Sequence, residues 1–474
     1  DILDILGFSE GNRPLRYLDI PLVVSKLQQS DYKELVERRM KRLLSWLCNS
    51  LSFGRRLQLI TVTLFSLHVF QCRTFILPVA VIEQCESIIR SFLWFGLGDV
   101  RKAGKVAWNK VCKPKTEGGL GIKNLRTWNK AAILEHGWDI IQSKNSLWVK
   151  WCYQVLLKGK KFWAVRATSQ CSWQWRKVLQ LREVLTQNIV FEIRDGHKLS
   201  LWFDPWLQGQ SVISRYGYRV RFDSGLPWNA TVTDVISNGA WDWPTNTWEL
   251  QEISGLAQSI QLGQGSDIIH WVSKGQKYSY KATWEAIRCR FLKVSWANMV
   301  WFSNCIPKHS FCLWLSCHYV YWTRDKLQRF RVVVSNRCIF GCGNVETIDH
   351  LFFGCSFTGI VWKQTLAKCG YRRSVRPWNE DAQWAILRLR GRNFKIWIIK
   401  IALAACMYHR WMDCNSRIFR NELKDIISIQ NSIWSNIQNK CQGMTVIEDN
   451  PTNRDIASRL QIPDRLLELR PTHW

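Results

Sequence analysis

The sequence predicts a mainly α-helical, multi-domain protein, and three observations carry that expectation. The chain has 474 residues, 47% hydrophobic and 22% charged, the balance of a folded protein and too much chain for one ordinary core at about 100–200 residues per domain. Apolar residues recur at helical spacing in most segments, whereas β-like runs are short and few. Between Cys338 and Cys355 three cysteines and a histidine fall at metal-ligand spacing.

The elements follow in order. A turn-rich stretch from Gly7 to Pro14 leads into the strand-like run Tyr17, Leu18, Ile20, Pro21, Leu22. From Tyr32 to Trp46, Leu35, Val36, Met40, Leu43 and Leu44 recur at helical spacing, with Lys33, Arg38, Lys41 and Arg42 toward another face. Helices are expected over about 54–70 and 79–95, the second with Pro78 at its start, where a missing donor costs little. The stretch from Gly96 to Gly121, with Lys102, Lys105, Lys110, Lys113 and Lys115, breaks the period before a helix at about 125–142.

The pattern then changes. Asp195-Gly196, between the runs Phe191 to Arg194 and Leu199 to Trp206, signals a hairpin in a small β-containing insert. Residues 225–263 carry turn residues and Trp without a long period and are expected to form a loosely built connector. A second hairpin is expected from Ile268–Val272 and Tyr278–Tyr280, then helices at about 281–291, 306–319 and within 393–441, and a loose polar tail. The expected divisions are 1–30, 31–144, 145–265, 266–375, 376–442 and 443–474.

Lys and Arg number 66 against 37 Asp and Glu, a formal charge of +29, and such a field attracts polyanions. Nucleic acid is the expected partner. A membrane is not, since the basic residues are dispersed and the apolar runs Leu57–Phe70 and Ile396–Tyr408 fall short of the roughly 20 residues a span needs. Seventeen scattered Cys point to a reducing compartment and mostly free, buried thiols. Most of the 29 Trp are expected in cores. The chain opens on Asp1 without a leader pattern, which is expected of a piece of a longer polypeptide.

Cys338, Cys342, His350 and Cys355 are separated by three, seven and four residues. Two close thiolates on a knuckle, with Gly341 and Gly343 for the turn, plus a His and a Cys about one helical turn apart, supply the tetrahedral donor set of Zn²⁺. The five-position step from His350 to Cys355 is loose for one helix face, and Phe352 and Phe353 are expected to point inward beneath the site. Four protein ligands close the shell, so the metal is expected to hold the fold and not to activate water. No Asp-Asp pair, phosphate-binding Gly-Lys-Ser/Thr loop, His-Glu-x-x-His or Gly-x-Ser-x-Gly occurs, so no catalytic residue is assigned.

The pieces occur in a recognisable order: RYLDIPL (16–22), SFGRRLQLI (52–60), SFLWFG (91–96), EGGLGIKNL (117–125), LWFDPW (201–206), IPKHSFCLWL (306–315), TRDKL (323–327) and CIFGCGNVETIDHLFFGC (338–355). The set resembles the C-terminal part, thumb to zinc-binding domain, of a plant LINE-type (non-LTR) retrotransposon reverse transcriptase. The resemblance implies a palm-end hairpin placing Tyr17 and Leu18 near the primer, and a helical thumb-like block with Arg55, Arg56, Lys102 and Lys105 as phosphate contacts. It also implies RNA and RNA–DNA or DNA duplex as partners, palm and endonuclease domains upstream, and a nuclear location. Two positions depart from the family pattern: Asp19 stands where Gly is usual, and three residues, not two, separate Cys338 from Cys342. The expected role is nucleic-acid binding with a structural zinc and no polymerase site. A fragment of an active RNA-directed DNA polymerase, and a decayed element, are the alternatives.

Overall fold

The computed structural model describes residues 51–64, 72, 77–96, 104–272, 277–443 and 447–463, together with the backbone of the short strands Leu15–Tyr17, Ile20–Leu22 and Leu467–Glu468. The expected helix over 32–46, and Leu18, Asp19 and Lys102, lie outside the described residues, as does the side chain of Tyr17.

Helices dominate, and most begin where the sequence supplies an acceptor for their unpaired first N–H groups. Ser52 caps Phe53–Leu59, Asn124 caps Leu125–Ile141, Ser279 caps Tyr280–Ile287, Asn393 caps Phe394–Arg420 and Asp425 caps Ile426–Gln442. Each such cap stabilises by about 1 kcal/mol. Pro307 opens Pro307–Cys317 without losing a needed donor. The 27-residue helix Phe394–Arg420 ends at Asn421 in the left-handed conformation, φ 54°.

The chain forms two compact units, each assembled from three stretches: 1–38, 65–86 and 124–290 in one, and 39–64, 87–123 and 291–474 in the other.

In the first unit Leu15–Tyr17 pairs antiparallel with Ile20–Leu22, the hairpin expected there. The other two expected hairpins do not form as pairs. Ile189–Glu192 pairs instead with Ile268–Trp271, antiparallel, with Ile189 opposite Trp271. The reason is Asp267, whose carboxylate accepts from the backbone N–H of Arg194 (2.7 Å), Gly196 (3.0 Å) and Lys198 (3.1 Å). The Asp195-Gly196 turn therefore wraps a distant carboxylate. Gly196 has φ 72°, and a Cβ there would lie 2.5 Å from Thr233 N, so the turn needs glycine.

Residues 225–263 are not a loose connector. The helix Trp248–Gln258 forms there, and Val232, Val235, Trp243, Leu250, Ile253 and Ala257 join Leu201, Trp202 and Trp206 in one buried core. Trp206 stacks on Trp241 at 5.6 Å. The apolar positions here are spread over turns and short elements, so no single period reveals them.

In the second unit, segments far apart in the sequence meet. Trp94, Phe53 and Phe311 form an aromatic group, with Phe53 and Phe311 stacked at 5.0 Å. Gly54 lies so close to the start of Pro307–Cys317 that a Cβ there would be 2.7 Å from Lys308 N. The Gly118 carbonyl accepts from Trp314 Nε1 (2.9 Å) and from His318 Nε2 (2.8 Å), which fixes the His318 tautomer. Where a loose tail was expected, Pro451–Leu460 is a helix with Ile456, Ala457 and Leu460 buried. Among the described residues all sixteen cysteines are free, and no helix is long and apolar enough to cross a membrane.

Candidate metal centre

The knuckle is a tight loop closed by a backbone ladder. Arg337 bridges Val345, and Cys338 N donates to Asn344 O at 2.8 Å. Within it Gly341 (φ 76°) and Gly343 (φ 79°) flank Cys342, a conformation that side-chain-bearing residues rarely adopt. Two left-handed glycines absorb the extra residue between Cys338 and Cys342, so the altered spacing still turns the second thiol back toward the first.

His350 and Cys355 are joined by a different device. His350–Gly354 is a π-helical turn, closed by Cys355 N donating to His350 O at 2.8 Å. A π turn spans five residues where an α turn spans four. The step that was loose for an α-helix face is therefore the right length for this turn. Leu351, Phe352 and Phe353 are buried beneath it, as expected for the two phenylalanines, and Phe353 stacks on Trp362 at 5.0 Å.

The structure brings all four predicted ligands together, their donor atoms within 4.8 Å of one another. Cys338 Sγ is 3.9 Å from Cys355 Sγ, and Cys342 Sγ is 3.1 Å from His350 Nε2. A tetrahedral Zn²⁺ with Zn–S near 2.3 Å needs a sulfur–sulfur edge of about 3.8 Å. The first pair already has that separation, and the second is somewhat closer than a bound ion requires. The set fits zinc: three soft sulfurs and one imidazole, with no carboxylate among the four donors.

The protonation of the set also suits a cation. A hydrogen bond from the Cys338 thiol holds Cys355 well below the usual thiol range, and the same bond pushes Cys338 up. A metal taking thiolates displaces the shared proton.

Three surrounding residues were not singled out from the sequence. Glu346 is buried, and its carboxylate accepts from Arg324 N (3.1 Å) and Ile339 N (2.9 Å), tying the knuckle to the preceding helix Arg324–Arg329. Burial pushes its pKa up, against those two bonds. Arg410, buried on Phe394–Arg420, donates to Thr358 O at 3.2 Å, and Thr358 Oγ1 donates to Cys355 O at 3.3 Å. Burial pushes Arg410 down to about 10. Asp349 Oδ1 accepts from Tyr319 Oη (3.2 Å) and Asn379 N (3.0 Å), anchoring the residue before His350. Their position inside the cysteine motif was the only signal for Glu346 and Asp349, and Arg410 lies too far along the chain to give one.

Residues 278–362, which contain all four ligands, match the family described as zinc-binding in reverse transcriptase. This segment is a reverse-transcriptase zinc-binding domain. The chain around it is similar to a candidate ribonuclease H protein of Arabidopsis thaliana, 27% identical over 372 residues, covering 72% of this chain and 57% of that protein. It is also similar to an uncharacterized mitochondrial protein of the same plant, 26% identical over 149 residues, covering 31% of this chain and 97% of that protein. The chain thus spans little over half the length of the first relative. Together these place the zinc-binding domain in a region related to plant retrotransposon reverse transcriptases.

Of the remaining predicted residues, Arg55, Arg56 and Lys105 lie apart from the four ligands in the sequence but share their unit, whereas Tyr17 belongs to the other. Arg55 is exposed on Phe53–Leu59. Arg56 and Lys105 each lie over the Phe53 ring, at 5.4 and 5.6 Å. Loss of water around Lys105 lowers its pKa. The ring thus gathers two of the predicted phosphate contacts at one place, with Arg55 one residue away.

Proposed function

We propose that this chain is the nucleic-acid-holding C-terminal portion of a LINE-type reverse transcriptase, stapled by a structural zinc, and that its own residues do not transfer nucleotides. The observation that carries the reading is a reverse-transcriptase zinc-binding domain set in a chain of charge +29. Arg55, Arg56 and Lys105 are the proposed phosphate contacts, and RNA, an RNA–DNA hybrid or duplex DNA is the proposed ligand. Contacts of this kind position a backbone without reading bases. Tyr17 is proposed near the primer end, and nuclear chromatin is the proposed place of work.

Zinc, held by Cys338, Cys342, His350 and Cys355, supplies folding free energy here and leaves no open coordination position for substrate. The lack of paired aspartates anywhere in the sequence favours a binding role over a two-metal transfer centre.

Binding of a labelled RNA–DNA hybrid tests the first half. Affinity is expected to fall by orders of magnitude between about 50 and 200 mM salt and to depend little on sequence. Arg55→Ala is expected to flatten the log–log slope by about one. Absence of binding at low salt, or binding indifferent to salt, rejects the reading. Primer extension tests the second half, and incorporation of nucleotides by the purified chain overturns it.

A further inference from the structure

The second unit holds a recess of about 270 Å³ that the zinc site does not use, lined by Asn298, Trp301, Phe302, Arg390, Arg392 and Lys400 among others. Among the described residues no carboxylate lines it. Lys400 interrupts the apolar run of Phe394–Arg420 and is only 5% exposed. Its ammonium lies 5.6 Å from the centre of the Phe302 ring and, among the described residues, has no carboxylate or hydrogen-bond acceptor. An ammonium on a buried side chain without an anion is costly, and burial lowers its pKa accordingly.

Further donors surround it. Among the described residues the indole N–H of Trp301 is buried without an acceptor, and Lys115, which does not line the recess, stands over the same ring, 4.6 Å from its centre. Among the described residues Arg390 donates only through Nε, to Ile386 O at 3.3 Å. Arg392 directly precedes Asn393, the cap of the 27-residue helix, so the positive end of that helix adds to the field. Cations and an indole donor thus surround a recess with no anion to meet them.

We infer that this recess binds a phosphate group, carried either by a free phosphate or monoester, or by the backbone of a nucleic acid. Several donors on separate side chains match the several oxygens of phosphate better than the two of a carboxylate. The recess is near the lower end of the size range of small-molecule sites, about 300 Å³, enough for a phosphate and a little of what it is attached to. Trp301 and Trp397 supply apolar walls beside the cations, and Trp397 is fixed by its Nε1 donating to Ser303 O at 2.9 Å.

The test uses the full zinc-loaded chain, with Lys400→Met and Arg392→Gln as variants. Lys400→Met keeps the length of the side chain and removes a buried charge, so it is expected to melt no lower than the parent in phosphate-free buffer. Arg392→Gln, at an exposed position, serves as the second variant if Lys400→Met does not fold. Melting is followed in inorganic phosphate against chloride at equal ionic strength, and a fluorescent single-stranded oligonucleotide is titrated in parallel. The parent is expected to be stabilised by phosphate or to bind the oligonucleotide, and the variants to weaken that binding about tenfold or more. Loss of the phosphate response identifies a free phosphate or monoester as ligand. Loss of oligonucleotide affinity alone identifies the phosphodiester. If both measurements are the same in parent and variants, the inference is overturned while the nucleic-acid reading stands. If the parent fails to bind the oligonucleotide but keeps a Lys400-dependent phosphate response, the reverse holds.

Discussion

Single side chains decide the chemistry of the metal site. Cys342 is the ligand held between two left-handed glycines, and it closes on His350 at 3.1 Å. Cys342→Ser is expected to drop bound zinc, measured by elemental analysis, from about one per chain to well below one, and to lower the melting temperature. Retention of full zinc and unchanged melting would mean the other three ligands suffice. A second residue makes a pH-dependent claim. Asp204, in the LWFDPW segment, accepts from Ser200 N at 2.6 Å, and burial pushes its pKa up from 3.8 to about 6. The folded chain therefore holds this proton to higher pH than the unfolded chain does. Stability falls as pH rises through that window, where the unfolded state has already released the proton. Asp204→Asn is expected to remove that fall, and a parent-minus-variant difference that stays flat from about pH 4 to 6 rejects it. His309 behaves in the opposite sense. It is fully buried beside Tyr408, and burial pushes its pKa from 6.5 to about 2. The folded chain resists the proton, so stability is lost as pH falls below about 6.5, by up to about 1.4 kcal/mol per pH unit. His309→Phe, which keeps a ring against Tyr408, is expected to melt less steeply with acid, and an equal acid dependence counts against the account.

At the scale of elements, helix ends and periods were legible because they are local. Val79–Phe95, Leu125–Ile141 and Pro307–Cys317 lie within a few residues of the expected spans, since capping residues and apolar spacing are written in the segment itself. Strand partners were not legible. Ile189–Glu192 and Ile268–Trp271 each had a plausible neighbour in sequence, but Asp267 gathers the 194–198 backbone and brings the two distant strands together. The π turn at His350 was equally hidden, because its five-residue closure depends on what Leu351, Phe352 and Phe353 bury against. Gly54 provides a test in which two effects compete. Within a helix, Gly→Ala normally stabilises by about 1 kcal/mol. Here a Cβ would meet Lys308 N and Pro307 C, both at 2.7 Å, and relieving such overlap costs about 1–3 kcal/mol. Gly54→Ala is therefore expected to lower the urea midpoint, and a rise would show that the two segments separate at little cost.

For the whole molecule, the order of short segments and the charge balance were readable without coordinates. The zinc-binding domain was identifiable because four ligand residues fall within eighteen positions, and its donor set is a matter of residue chemistry. The sequence by itself thus determined the helical class, the basic character and the identity of the metal ligands. Tertiary structure decided what those pieces touch. It joined SFGRRLQLI, EGGLG and IPKHSFCLWL in one unit, through Gly54 against Pro307 and the Gly118 carbonyl shared by Trp314 and His318. It built a core from residues 225–263, whose buried positions follow no single period. It also left Lys400 buried in one recess with Trp301 and, among the described residues, with no anion. Such features depend on residues tens to hundreds of positions apart, and periodicity, capping and motif spacing report only on neighbours along the chain.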